Sequence, residues 1–402
     1  MYKPNTNRHS RGSSQGRKSS SFGSRNRGFK RGGFVASRID ISRFINKAVI
    51  TEEVETFIPD HLFKDFAIDE HIKKNISAKG YEAPTPIQDK SIPHILRGED
   101  LVGIANTGTG KTAAFLIPLI DKILQDKKGG ALIVVPTREL ANQIQDELRV
   151  FAKGTGLFSV VCVGGLPIGK QLRDLRYHNH FVIGTPGRLK DLIERKALTL
   201  SQYRFAVLDE ADRMLDMGFI GDMKYMMALL PQDRQTLFFS ATLSPDIEKL
   251  IKDFLKNPVR ISVKTQETAS SVEQDIVKIK GGDKVETLHE LLIKPEFSKV
   301  LVFSKTKFGA DKLTKELNSR GFKVESIHGD KNQSRREKAL ALFKDNKVQV
   351  LVATDVAARG LDISDVSHVI NYDLPATYED YVHRIGRTGR GGKRGKALTF
   401  VA

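Results

Sequence analysis

Leu101-Val-Gly-Ile-Ala-Asn-Thr-Gly-Thr-Gly-Lys-Thr112 runs from an apolar stretch through a glycine-rich turn into residues whose apolar positions, from Lys111 to Leu124, recur at helical spacing. Strand, tight loop and helix in that order make a cradle for phosphate groups. Glycine keeps Cβ atoms out of the loop, and the helix N-terminus points backbone N–H groups at an anion. In such a cradle Thr107, Gly108, Thr109 and Gly110 wrap the phosphates, Lys111 brings positive charge to the β and γ positions, and Thr112 offers its hydroxyl to Mg²⁺. The strict pattern begins with glycine where this chain has Ala105. The flanking strand and helix therefore carry the assignment, and an ordinary glycine-rich turn is the rival reading. Pro118, inside the helical stretch, predicts a kink there.

Further along, Val207-Leu-Asp-Glu-Ala-Asp212 takes an apolar run, Phe205 to Leu208, out into three carboxylates. In open α/β sheets functional groups gather at the carboxyl ends of strands, which would place Asp209 beside the loop after Ala105. There Asp209 holds the metal and Glu210 aligns water. The alternative is a solvated acidic loop.

From residue 57 to 263 strands alternate with helices, at Leu101 to Ala105, Leu132 to Val135, Val160 to Val163, Phe181 to Ile183, Ala206 to Leu208 and Leu237 to Phe239. That alternation predicts a parallel sheet covered on both faces. A polar segment, 264–275, reads as a linker. A second alternating set fills 276–402, with strands at Val300 to Phe303, Val324 to Ile327, Val348 to Ala353, Val366 to Ile370 and Ala397 to Val401. The expected fold is α/β, two parallel-sheet lobes in tandem, able to close on a ligand between them.

The formal net charge is +17. Residues 1–38 hold ten Lys or Arg and no Asp or Glu, so most of the excess sits at the N-terminus, yet the remainder is basic too. Such a balance favours polyanions, nucleic acid before membrane. The Ser, Gly and Arg composition of 1–38 predicts a disordered tail, in which arginines neutralise phosphates while Phe22, Phe29 and Phe34 stack on unpaired bases. A solubilising spacer and an organelle transit peptide are the alternatives, the latter weakened by the lack of an apolar helical face. Within the extension 39–56, Ile41, Phe44, Ile45, Ala48 and Val49 follow helical spacing and predict a short amphipathic helix, packed on the body or bound to a partner. Cys162 is the single cysteine, which fits a reducing, cytoplasmic setting. No apolar run is long enough to span a membrane, and no signal-peptide core follows Met1.

Laid in order, these pieces resemble the DEAD-box ATP-dependent RNA helicases of superfamily 2, over residues 60 to 402. Phe63 and the run Gly80-Tyr-Glu-Ala-Pro-Thr-Pro-Ile-Gln88 match that family's adenine-reading motif, with Gln88 at the adenine edge and Phe63 stacked behind it. From the residues alone, Gln88 could equally cap the helix that follows. Tyr381-Val-His-Arg-Ile-Gly-Arg-Thr-Gly-Arg390 matches the arginine-finger motif, and the resemblance implies that Arg387 and Arg390 reach the γ phosphate when the lobes close. Asp362, by the same resemblance, contacts the ATP ribose, and Ser240 and Thr242 couple hydrolysis to lobe movement. RNA contacts are implied for Pro136, Thr137 and Arg138, for Gly164 and Gly165, for Thr185, Pro186, Gly187 and Arg188, and in the second lobe for Gln333, Arg336 and Thr354. Contacts to the RNA backbone tolerate any sequence.

The resemblance implies an ATP- and Mg²⁺-dependent RNA helicase that separates short duplexes or remodels RNA–protein complexes, with an ATP-gated RNA clamp and a DNA helicase as rivals. The expected partner is single-stranded or short duplex RNA. The chain is expected to be a monomer, with any protein partner engaged through the tail or residues 39–50. The basic arm precedes the core and the sequence stops after its last strand, so no C-terminal targeting module is expected.

Overall fold

The computed structural model describes residues 44–45, 57–106, 108–126, 129–263, 272–358, 363, 365–389 and 395–401. Thr107, Asp362, Arg390, the tail 1–38, residues 264–271 of the expected linker and all of the expected amphipathic helix except Phe44 and Ile45 lie outside the described residues.

The first lobe is built on seven strands: β1 (Leu101–Ile104), β2 (Gly130–Val134), β3 (Ser159–Cys162), β4 (Phe181–Gly184), β5 (Tyr203–Leu208), β6 (Gln235–Ser240) and β7 (Val259–Ser262). They lie in the order β3-β4-β2-β5-β6-β1-β7, and every pairing is parallel. The second lobe has β8 (Val272–Lys278), β9 (Val300–Phe303), β10 (Val324–Ile327), β11 (Val350–Ala353), β12 (His368–Asn371) and β13 (Gly395–Val401), ordered β10-β11-β9-β12-β13-β8 and again parallel throughout. Parallel pairing needs crossover helices, and these cover both faces of each sheet. Alternate residues of one strand therefore enter different cores. Leu101, Ile133, Val207 and Phe239 fill one face of the first sheet, and Val102, Leu132, Leu208 and Phe238 fill the other. In the second sheet Leu301 and Leu351 divide in the same way from Val300 and Val350.

Two strands escaped the sequence reading, β7 and β8. Each is an edge strand, and an edge strand needs fewer apolar residues than a central one. β8 also corrects the expected linker 264–275, because 272–275 are already strand, paired with β13. The helix after the phosphate loop, Lys111–Gln125, continues through Pro118 as one element. Among the described residues no helix is long and apolar enough to cross a membrane.

Candidate active site

The loop after β1 is held from below and from the side. Ala105 N–H donates to the Ser240 carbonyl (3.0 Å), which anchors the loop to the end of β6. Gly108 and Gly110 have φ of 88° and 92°, a left-handed conformation that glycine adopts without a Cβ penalty. The Thr109 hydroxyl donates to the Asn106 carbonyl at 2.8 Å. The Lys111 ammonium, buried, donates to the Ala105 carbonyl at 2.8 Å. Lys111 is thus folded back over its own loop, and Thr112 follows it in the first helical turn.

The adenine-motif residues grip this loop. Gln88 is 2 % exposed; its Oε1 accepts from Thr85 N–H (2.9 Å) and its Nε2 donates to the Gly110 carbonyl (3.0 Å). The Thr85 hydroxyl donates to the Thr109 carbonyl at 2.8 Å. Gln88 therefore does cap its helix, the alternative left open by the sequence, and it also braces the phosphate loop. An amide has two donors and two lone pairs, so a donor and an acceptor are left over for a base edge. A Cβ on Gly110 would run into the Gln88 amide and the Thr85 hydroxyl, which makes glycine necessary there. Phe63 is buried beside Phe66 and Tyr81, with ring centroids 6.1 and 6.2 Å away.

β5 delivers the carboxylates. Asp209 is 2 % exposed and accepts the Glu210 N–H at 2.9 Å. Burial pushes its carboxyl up to about 6, opposed by the Lys111 charge and reinforced by Glu210. Glu210 has φ of 53°, an uncommon conformation for a residue with a side chain, and its Oε2 is paired with Arg213 Nη1 at 2.7 Å, both groups buried. Asp212 turns to β6, where its Oδ2 accepts from Ala241 N–H (3.0 Å), Thr242 N–H (3.1 Å) and the Thr242 hydroxyl (3.3 Å). The Ser240 hydroxyl donates to the Thr242 carbonyl at 2.8 Å. Asp212 and Arg213 were given no role from sequence. Asp212 had a signal, as the third acid of its run, whereas Arg213 had none.

The residues read as RNA contacts converge on a groove of about 390 Å³ shared by the two lobes. Pro136, Thr137, Arg138, Gly164, Thr185, Gly187 and Arg188 line it from the first lobe, and Gly329, Arg336, Val356 and Ala357 from the second. Pro186 starts the helix Pro186–Glu194 along its wall. Gly165 has φ of 73°, and a Cβ there would overlap the Arg138 guanidinium, so the glycine lets that cation lie against the backbone. Burial and the charges of Arg336 and Arg188 hold Arg138 below its ordinary range. Clustered cations of this kind suit a phosphate chain.

Arg336 Nη2 also lies 2.8 Å from Glu139 Oε1, an ion pair across the lobes. Its geometry gives neither Glu139 oxygen a hydrogen bond, and Arg336 Nε lacks one as well. Asn142 Nδ2 adds a long 3.4 Å contact to Glu337. Gln333 lines the neighbouring interlobe cavity and donates to Glu337 at 3.0 Å. The carbonyl of Thr354, a residue buried just after β11, accepts the N–H groups of Ala357, which lines the groove, and of Ala358. Nothing local in the sequence marks Arg336 as the partner of Glu139.

Arg387 is 3 % exposed and borders a small cleft with Asp355, Asp380, His383 and Arg384. The helix before it, Tyr378–Ile385, is locked by Arg384, which forks onto both oxygens of Asp355 (2.6 and 2.8 Å) and donates to Asn371 Oδ1 and the Asp373 carbonyl.

A phosphate loop at the end of β1, carboxylates at the end of β5 and buried arginines on a second parallel-sheet lobe define a tandem RecA-like, nucleotide-dependent protein. The DEAD/DEAH box helicase pattern matches residues 85–250, and the helicase conserved C-terminal domain matches residues 283–392. The chain belongs to the DEAD-box helicase family. It is 48% identical over 341 residues, 84% of this chain, to the ATP-dependent RNA helicase CshA of Listeria monocytogenes, and the match spans 66% of that protein's length. Among solved structures it resembles a DEAD box protein from Methanococcus jannaschii, at 40% identity and TM-score 0.51, covering 85% of this chain and 93% of that one. It also resembles Saccharomyces cerevisiae Dbp5 bound to RNA and ADP BeF3, at 32% identity and TM-score 0.75, covering 84% of this chain and 89% of that one.

Proposed function

We propose that this chain is an RNA-stimulated ATPase that couples lobe closure to local, non-processive separation of short RNA duplexes or remodelling of RNA–protein complexes. The observation that carries this reading is the groove, whose lining comes from both lobes and whose first-lobe walls follow β2, β3 and β4, at the same edge of the parallel sheet as the phosphate loop after β1 and the carboxylates after β5. A ligand held there stabilises the shut arrangement in proportion to its preference for that arrangement. The ion pair between Arg336 of the second lobe and Glu139 of the first (2.8 Å) supports a shut arrangement of the lobes here.

In the ATP site Lys111 would leave the Ala105 carbonyl for the β and γ phosphates, and the loop's N–H groups would take the remaining oxygens. Asp209 and Thr112 are hard oxygen donors, and a buried carboxylate pushed up to about 6 gains from a cation, so the pair fits Mg²⁺. When bound, that ion neutralises charge on the phosphates. Glu210 would orient the attacking water, with Arg213 fixing its carboxylate. Arg387 and Arg390 would stabilise charge on the transferring phosphoryl group from the second lobe, and Asp362 would hold the ribose.

An ATPase assay run beside a strand-displacement assay, each with RNA and with DNA, tests the reading. RNA-stimulated turnover with displacement is expected, and both should vanish in Glu210→Gln while ATP and RNA still bind. Turnover without displacement would leave an ATP-gated clamp. Equal stimulation by DNA would remove the RNA assignment.

A further inference from the structure

Phe44 precedes the first lobe in sequence, yet it is buried in the second. It is 1 % exposed and belongs to the core formed by Val272, Leu301, Tyr381 and Ile385. Its ring lies 4.7 Å from that of Tyr381, which also stacks with Tyr378 and donates its hydroxyl to Gln274 of β8 (2.9 Å). Ile45, the next residue, is 47 % exposed, so of these two residues Phe44 is the one that enters the core. By Asp60 the chain is already on the first lobe, where the Asp60 N–H donates to Asp89 at 2.8 Å. The polypeptide therefore passes from second lobe to first between Phe44 and Asp60, and returns between β7 and β8.

We infer that Phe44 is an intramolecular clasp: it docks the N-terminal extension on the second lobe and props the helix Tyr378–Ile385, which ends two residues before Arg387. Two covalent crossings restrain the lobes more than one, because each raises the effective concentration of one lobe near the other. The stretch from Phe44 to Asp60 spans at most about 55 Å when extended, which sets the opening allowed while the clasp stays seated. The prop acts through Tyr381. With the Phe44 ring gone, the buried face of Tyr381 loses its support, and small misplacements of a charge-stabilising arginine are costly in rate. Phe44 is thus a positioning residue, and that part of the inference rests on the proposed role of Arg387.

The test uses the full chain with a specific protease site inserted after Ile50. After cleavage, in roughly 1 M salt where the Debye length is about 3 Å, the N-terminal fragment is expected to co-elute with the body, and to separate from it in Phe44→Ala. In uncleaved Phe44→Ala, kcat with saturating RNA should fall about tenfold with KM for ATP within about twofold, and Phe44→Leu should recover most of the loss. Separation of the fragment from the unsubstituted protein as readily as from Phe44→Ala overturns the clasp whatever the ATPase does. Retention of the fragment with unchanged kcat in Phe44→Ala overturns the prop. Absence of ATPase in the unsubstituted protein would instead sink the proposed function and leave the fragment result readable.

Discussion

In the first lobe Lys111, Gln88, Asp212 and Ser240 are each fixed by hydrogen bonds that begin and end within that lobe. In the second, Arg336 reaches out to Glu139 on its neighbour, and Arg387 sits buried at the end of a helix, with the phosphate loop on the other sheet. The difference teaches a division of labour. A nucleotide pocket has to exist before its ligand arrives, so its geometry is secured locally. On the proposed reading a trigger has to be absent until closure, so it would be secured to the far lobe and delivered by motion. The seam agrees with this. Glu139 and Arg336 attract each other, but both Glu139 oxygens and Arg336 Nε are left without hydrogen bonds, which costs the shut seam some of its strength.

The comparison breaks most visibly at Arg387. In Arg387→Ala, RNA-stimulated turnover should drop by about 10³ or more, while ATP affinity, read with a fluorescent nucleotide, stays within about threefold. Full turnover in that variant would return the whole chemistry to the first lobe. Next comes Gly110→Ala. Because the added Cβ meets the Gln88 amide and the Thr85 hydroxyl at a left-handed φ, nucleotide affinity should weaken about a hundredfold, equivalent to about 2.7 kcal/mol. RNA binding without nucleotide should barely move, while the thermal midpoint should fall, because a Cβ at that φ strains the backbone.

Arg336→Ala sharpens the contrast at the seam. Only the shut arrangement uses its pair with Glu139, so the RNA concentration for half-maximal ATPase should rise roughly tenfold with little change in thermal stability. A double-mutant cycle with Glu139→Gln should give a coupling above about 0.5 kcal/mol if the pair acts as a unit. The smallest effect concerns the second lobe by itself. His368 stacks on Phe297 at 3.9 Å, and burial, with Lys396 nearby, holds its imidazole down to about 4. Since the unfolded chain protonates near 6.5 and the folded one only near 4, this contribution to stability is complete above 6.5 and lost as pH falls toward 4. A thermal scan should show the midpoint dropping a few degrees between those values, and a shallower drop in His368→Gln.

Much of the molecule was legible before any coordinates. Eleven strands were named within a few residues: nine are central strands of a parallel sheet, apolar on both faces and read as unbroken runs, as in Val300 to Phe303, and the edge strands β3 and β10 were named as well. β7 and β8 were not, because Val259-Arg-Ile-Ser262 and Val272-Glu-Gln-Asp-Ile-Val-Lys278 lie at sheet edges, where polar residues are tolerated. The phosphate loop and the acidic run were readable because their chemistry lies in consecutive residues. The bracing of Gly110 by Gln88 and of Thr109 by Thr85 was not, since it joins residues more than twenty positions apart.

What the sequence alone determined is therefore the local hardware: the glycine loop with Lys111, the carboxylates that end β5, and two runs of strand and helix, each dictated by spacing a few residues long. Only the tertiary structure decided which distant groups meet. It paired Glu139 with Arg336, set Asp212 under the Ser240–Thr242 turn, and seated Phe44 in the lobe that ends the chain rather than the one that follows it. Those choices depend on how two independently folded sheets and their helices pack in space, and neighbouring residues in a sequence carry no record of that.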